Sequence, residues 1–258
     1  MNPTWRWAFA CALLGLLAAL LLRFPAAWAT GAIERASGER IALVNTRGTL
    51  WDGSAELLLQ GGAGSRDATT LPGRLAWRLR PGWGTLEITL HNQAGLRQPL
   101  HLVATRGAGG AAVVSVAALN WHGPAGLLRG LGTPWNTLGF EGDLALRAQH
   151  LQLHQSAQGW QLKGELLIEA DSVSSRISTV RPLGSYRMAL QGGQDGTTAL
   201  ALSTTQGVLQ LQGEGAFIGG QLRFQGSARA APERRDALGN VLNLIGNRDG
   251  PVALRILR

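Results

Sequence analysis

The sequence predicts a mainly β protein: a single N-terminal transmembrane helix, then an antiparallel β-sheet body, either a curved sheet or a sandwich, with two or three short helices. Two observations predict it. From about Arg40 onward, a glycine-containing turn recurs ahead of short runs in which apolar and polar residues alternate, at 56–60, 84–90, 142–153, 160–168, 197–202, 207–213 and 220–230. Alternation with period two marks a half-buried strand, whereas a helix needs apolar residues three and four apart. Ahead of these runs, residues 7–22 carry no charge at all.

Taken in order, the first element is that apolar segment. It lies between Arg6 and Arg23 and continues through Phe24, Pro25, Ala26, Ala27 and Trp28, so it reaches the roughly 20 residues a bilayer requires if Arg23 snorkels to the interface. Trp5, Trp7 and Trp28 stand where an aromatic belt forms. Residues 1–29 therefore read as an uncleaved membrane anchor. The competing reading is a signal peptide cleaved after the Ala27-Trp28-Ala29 site, and length favours the anchor. Arg6 on the short side favours a cytoplasmic N-terminus, which exports the body, residues 30–258. Cys11, the only cysteine, lies inside the apolar segment, so the exported body has neither disulfide nor thiol chemistry. A bacterial periplasm fits, since a domain of this size buries an adequate core without crosslinks.

Behind the anchor, residues 32–37 read as a short helix closed by Gly38. Residues 74–80 alternate cleanly, Pro81-Gly82 makes a turn, and 84–91 completes a hairpin. The glycines at 107, 109 and 110 form a loop tip, and 111–119 is a Val-rich strand. Residues 124–131 then break the pattern: Pro124 suits a first helical turn, and Leu127, Leu128 and Leu131 have helical spacing. This segment separates two weakly similar halves, about 40–123 and 135–230, opened by Gly48-Thr49-Leu50-Trp51-Asp52-Gly53 and Leu138-Gly139-Phe140-Glu141-Gly142-Asp143. A C-terminal helix over 233–245 begins after Pro232, carries the stripe Leu238, Val241, Leu242 and Ile245, and stops at Gly246; residues 251–258 close the chain as a strand.

The formal charge of +8 makes the body basic, yet its arginines are scattered. Arg74, Arg78 and Arg80 share one face of a strand, and with Arg234-Arg235 they are the only groupings; none has the aromatic interleaving of a nucleic-acid groove, so no nucleic-acid partner is expected. No phosphate loop, HExxH, GxSxG, CxxC or SxxK occurs, and the glycines at 61, 62 and 64 suit turn tips. His150 and His154 share a strand face with Gln152 between them and read as solvent-facing, because a zinc site needs three or four ligands. Asp171, Ser172, Ser174, Ser175 and Ser178 form a hydroxyl-rich cluster without a nearby base; a remote one, His91, His101 or His122, is the alternative. The expectation is a protein without catalytic, cofactor-binding or metal residues, and not an enzyme. Of the nine tryptophans, Trp51, Trp77, Trp83, Trp121, Trp135 and Trp160 lie in or beside strands, where core or sheet-edge packing is expected.

With these phrases in order, the chain resembles type II secretion system protein N of Gram-negative bacteria. The carriers are the anchor, Gly48 to Gly53, Leu71-Pro72-Gly73-Arg74-Leu75-Ala76-Trp77, Ser174-Ser175-Arg176-Ile177-Ser178 with Pro182-Leu183-Gly184-Ser185-Tyr186, and Leu242-Asn243-Leu244-Ile245-Gly246-Asn247-Arg248. The resemblance implies a single-pass inner-membrane component of the machinery that exports folded periplasmic proteins through an outer-membrane secretin. It implies no enzymatic activity and no cofactor. Its partners would be other inner-membrane secretion components and the secretin, reached through exposed strand edges and turns. The alternative is a lipid-binding or lipid-transfer scaffold, because repeated Gly-x-Leu-x-Leu strands behind one anchor also look like AsmA-type proteins. That alternative requires an open apolar face wider than its own side chains fill.

Overall fold

A computed structural model describes residues 3–107, 110–133, 135–156, 159–193, 195–218, 221–234, 237–239, 241–242, 246–247 and 252–254. Helix α1 covers Pro3–Leu22. Among the described residues, no helix is long and apolar enough to cross a membrane. Helix α2, Ala27–Ala36, starts earlier than the sequence suggests. Pro25 is the reason: it biases Phe24 away from helical geometry, and residues 24–26 join the sheet instead. The Leu50 N–H donates to the Phe24 carbonyl at 2.7 Å, Pro25 bridges Thr49, and the Ala26 N–H donates to the Gly48 carbonyl at 3.3 Å. Gly38 follows the helix with φ +63°, as its C-terminal glycine should.

The strands are β1 Ile41–Gly48, β2 Asp52–Gln60, β3 Ala68–Thr70, β4 Leu75–Pro81, β5 Thr85–Asn92, β6 Leu100–Arg106, β7 Ala112–Pro124, β8 Phe140–Ser156, β9 Gly159–Ser175, β10 Gly184–Gly192, β11 Thr198–Gly207, β12 Leu209–Ile218, β13 Gln221–Ala230, β14 Gly246–Asn247 and β15 Val252–Leu254. They form one sheet in the order β1-β2-β4-β5-β6-β7-β8-β9-β10-β11-β12-β13-β15-β14, with β3 beside β2, and every pairing is antiparallel. The expected hairpin over 74–91 is β4 and β5, closed by the Gly82 N–H on the Thr85 carbonyl at 2.9 Å. β10 is absent from the runs that alternation picks out. Ala189 on its polar face leaves Met188-Ala189-Leu190 as a continuous apolar run, which periodicity does not assign to a strand.

Register puts the apolar residues of successive strands opposite one another on one face. Trp77 pairs with Leu90, Leu79 with Ile88, Ile88 with Leu102, Leu102 with Val116, Leu146 with Ile168, Ile168 with Met188, and Met188 with Leu202. Bulges interrupt the alternation. In β8 the register shifts between Gln149 and Gln152, and His150 takes φ +51°, so that Ala148 and Leu151, three apart, are both buried. His150 is thus the extra residue of a bulge. It does not share a regular strand face with His154, and the expectation that it does is corrected here.

One end of the strands is capped. After Pro124, residues Ala125–Leu131 form a 3₁₀ segment rather than an α-helix, since Gly126 and Gly130 are poor helix formers, and α3, Trp135–Leu138, follows. Gly130 lies so close to β2 that a Cβ would meet the Leu59 carbonyl oxygen at 2.7 Å, while Gly126 stands by the carbonyl of Phe140 in β8. Four strands separate β2 from β8 in the sheet, a distance of about 24 Å if flat. The few residues of 3₁₀ segment between those contacts cover only about 8 Å. The sheet therefore curls, and among the expected alternatives the curved sheet is the one formed.

The buried residues fall into three clusters along the apolar face. Ala26, Ala55 and Trp77 join α2 to the first strands; Val116, Ala148 and Leu151 hold the middle; Leu183, Leu209, Leu238 and Val241 close the far part. In the last of these the expected stripe of the C-terminal helix is realised at Leu238 and Val241, with Leu242 partly buried. Pro232–Arg234 are 3₁₀, and the Leu242 N–H donates to the Leu238 carbonyl at 2.9 Å. Ile245, Arg235, Gly109, Gly220, Arg248, Pro251 and residues 255–258 lie outside the described residues. Trp77 is 8% exposed and its indole N–H donates to the Leu50 carbonyl at 2.9 Å, pinning the turn against which residues 24–26 pair. Trp77→Ala is expected to lower the unfolding free energy by about 3–5 kcal/mol, the usual cost of deleting a buried aromatic side chain, measurable by chemical denaturation.

Candidate functional site: the apolar face and the anchored end of the sheet

Several of the polar residues singled out from the sequence are engaged in hydrogen bonds within the fold. The Ser175 hydroxyl, 1% exposed, donates to the Leu138 carbonyl at 2.5 Å and holds β9 to α3. The Ser178 hydroxyl donates to the Val180 carbonyl at 3.2 Å and accepts from the Val180 N–H at 3.0 Å, closing a local turn. Ser172, with φ +50°, donates its N–H to the Ser185 hydroxyl at 3.0 Å. These serines are spread over a bulge, a strand end and a turn rather than converging on one point. Nε2 of His154 lies 3.1 Å from Oε1 of Gln152, and His101 Nδ1 lies 3.3 Å from the Thr89 hydroxyl. No group of three or more metal-ligating side chains occurs among the described residues.

The face opposite the apolar one carries charge in paired form. Arg74 donates to Glu56 at 3.2 Å and to the Asn45 carbonyl at 2.7 Å, and Arg78 donates to Asp52 at 2.9 Å. Glu169 accepts from both Arg147 and Arg187, at 2.5 and 2.9 Å, tying β8, β9 and β10 together. Exposed pairs of this kind contribute little each, about 0–1 kcal/mol, so their value lies in register. An open depression of about 340 Å³, lined by Glu56, Thr70, Leu71, Pro72, Gly73 and Arg74, has its two charged groups already bonded to each other. Tyr186 is buried, which pushes its phenol well above the ordinary value; it stays protonated and donates to the Leu209 carbonyl at 3.1 Å.

The apolar face is the largest feature without a covering layer. Leu57, Leu79, Ile88, Leu102, Leu146, Ile168, Met188, Leu190, Leu202 and Phe224 are all only half-buried on it. Part of the face fills itself: the Phe224 ring lies across Gly213 and Gly226, whose missing side chains give it room. Elsewhere the rows of leucine and isoleucine remain open to a ligand or partner.

The other feature is the end of the sheet opposite the cap, where Phe24 and Pro25 bring in the chain from α1. The tryptophans divide accordingly. Trp77 is core and Trp121 is half-buried above Gly95 and Gly123, as expected of packing residues. Trp83, at 103% exposure, and Trp160, at 56%, are not; the packing expectation is corrected for both. Each sits beside a turn that projects beyond its strand neighbours, a placement that alternation alone does not reveal.

A family model described as Type II secretion system (T2SS), protein N matches residues 39–256. No curated protein and no solved structure matches the chain.

Ser175→Ala is expected to cost about 1 kcal/mol in chemical denaturation, because one buried hydrogen bond is lost while the Arg176 N–H, 3.2 Å away, still satisfies the Leu138 carbonyl. Ser174→Ala is the control, with a change near zero.

Proposed function

Because this chain belongs to the type II secretion system protein N family, we propose that it is a single-pass inner-membrane component of the secretion machinery whose periplasmic sheet works by contact with other proteins of the assembly. The family match extends across nearly the whole sheet, from residue 39 to 256, and it is the observation that carries the reading. Membership makes the chain a type II secretion component with a β-rich body; the anchor, the compartment and the mode of action are the proposal.

Several features support it. Residues 7–22 are uncharged and lie within the helix Pro3–Leu22, the composition an anchor needs. Arg6 places the short side in the cytoplasm. The polar groups described above are engaged in holding strands and turns, which suits a scaffold. The face opposite the apolar one presents exposed positions along the whole sheet, among them Glu87, Arg147 and Ala201. Outer-membrane secretin contact is part of the same reading.

Photo-crosslinking amino acids placed at Glu87, Arg147 and Ala201 in secreting cells test it. Crosslinks to inner-membrane secretion components, together with loss of secretion when the chain is deleted, are expected. Unchanged secretion on deletion, with no crosslink at any of the three positions, would remove the proposal.

A second reading, lipid binding or transfer, is favoured by the open apolar face. Half-buried leucine and isoleucine side chains in register over many strands offer the chemistry that acyl chains take. Photoactivatable phospholipid supplied to the full chain is expected to label peptides containing Ile88, Leu102, Leu146 and Ile168. Labelling confined to α1 would rule this reading out.

A further inference from the structure

We propose that the turn between β4 and β5 is a second membrane contact, with Trp83 seated in the headgroup-to-acyl boundary of the periplasmic leaflet from which the anchor emerges. The inference rests on the anchor reading of residues 7–22.

The geometry begins with how far this hairpin reaches. The last residue pair between β2 and β4 is Asp52 with Arg78, and the Leu79 N–H then donates to the Trp51 carbonyl at 2.7 Å. Beyond that point β4 pairs only with β5, Arg80 opposite Glu87 and Pro81 opposite Leu86. Trp83 lies five positions past Arg78, so the tip stands roughly 15 Å beyond the end of β2. The chain from α1 joins the sheet at that same level: Gly48 and Gly53 are register partners, Pro25 bridges Thr49, and the Phe24 carbonyl accepts from Leu50 at 2.7 Å. The hairpin tip and the anchor's exit are therefore at one end of the sheet, on neighbouring strands.

The chemistry of the tip fits an interface. Trp83 is fully exposed, flanked by Gly82 and Gly84, and preceded by the exposed Pro81. At 103% exposure its indole is hydrated in water. At a membrane surface the ring reaches the acyl boundary while its N–H stays with headgroups, the placement tryptophan prefers. Arg23, Arg80 and Arg106 are exposed at this end, positioned for anionic headgroups. Trp28 is 72% exposed on the first turn of α2, with its ring 5.5 Å from that of Phe24, and supplies a second interfacial aromatic. Farther along the sheet Trp160 and Ile218 are exposed at the same end of β9 and β12. A helix alone leaves the sheet free to swivel; a helix plus an inserted turn fixes its strands upright on the bilayer.

Three single-cysteine full-length chains test this in vesicles of phosphatidylethanolamine and phosphatidylglycerol that carry nitroxide lipids. A fluorophore is placed at native Cys11, at Trp83→Cys or at Ala63→Cys, the last two in a Cys11→Ala background; Ala63 is exposed in the turn after β2, at the opposite end of the sheet. The label at position 83 is expected to lose about half its emission to the lipid quencher, as an interfacial group should, and the label at position 63 to lose little. Cys11 quenched with position 83 unquenched overturns the inference and leaves the anchor standing. Quenching at neither Cys11 nor position 83 overturns both. Equal quenching at 83 and 63 means general adsorption and also overturns the inference. Because Trp83 is fully exposed, the Trp83→Cys chain is expected to keep the parent's melting temperature, which separates lost contact from lost fold.

Discussion

The constraint on which the structure depends is that nearly every strand is hydrogen-bonded to its neighbours in sequence, so the described strands form one antiparallel layer, with no second sheet over it among the described residues. A single layer satisfies its backbone groups completely along the ladder but buries its apolar face only partly. Everything else answers that deficit. The sheet curls so that its own side chains approach one another, Ala26 and the C-terminal residues Leu238 and Val241 lie over two stretches of the face, and the 3₁₀ segment after Pro124 closes one end. Apolar burial stabilises at about 25 cal/mol per Å², and it is concentrated in three clusters rather than one.

Polar side chains do the joining that a second layer would do elsewhere. Ser175 ties β9 to α3, Asn136 donates to Asp67 at 2.6 Å and so ties α3 to the turn before β3, and Glu141 receives Arg181 at 3.2 Å with Arg129 at 3.7 Å. These contacts concentrate at the capped end. The opposite end is made of turns, and there exposed tryptophan and arginine accumulate near the point where the chain from α1 enters. The two ends are thus chemically unlike, one tied together internally and the other turned outward.

Much of the fold was legible in the sequence. Period-two alternation identified the strands of the hairpin over 74–91 and those at 142–153 and 221–230, because each keeps its apolar residues on one side without interruption or with a single bulge. Trp77 between Gly73 and Gly82 read as core and is core. The serines of 172–178 read as a hydroxyl-rich cluster without a base in their segment; the hydroxyls of Ser175 and Ser178 donate to the Leu138 and Val180 carbonyls. Where alternation failed, a local backbone event was responsible. The bulge at His150 moves its neighbours out of phase by one residue, and Met188-Ala189-Leu190 hides the period of β10.

By itself, then, the sequence determined the class of the body, the position of the charge-free segment and the absence of a second cysteine, since these depend on residue type and short-range spacing alone. Only the tertiary structure decided that the sheet is one curled layer, that its apolar face stays half open, and that Trp77 and Trp83, six residues apart on one hairpin, have opposite fates. The reason is that strand propensity acts within a few residues, whereas curl depends on contacts between Gly130 and Leu59, far apart in the chain. The exposure of a tryptophan, likewise, depends on whether a neighbouring strand extends as far as its own. For Trp77 the neighbour is β2 at Gly53; for Trp83 the neighbouring strand has already ended.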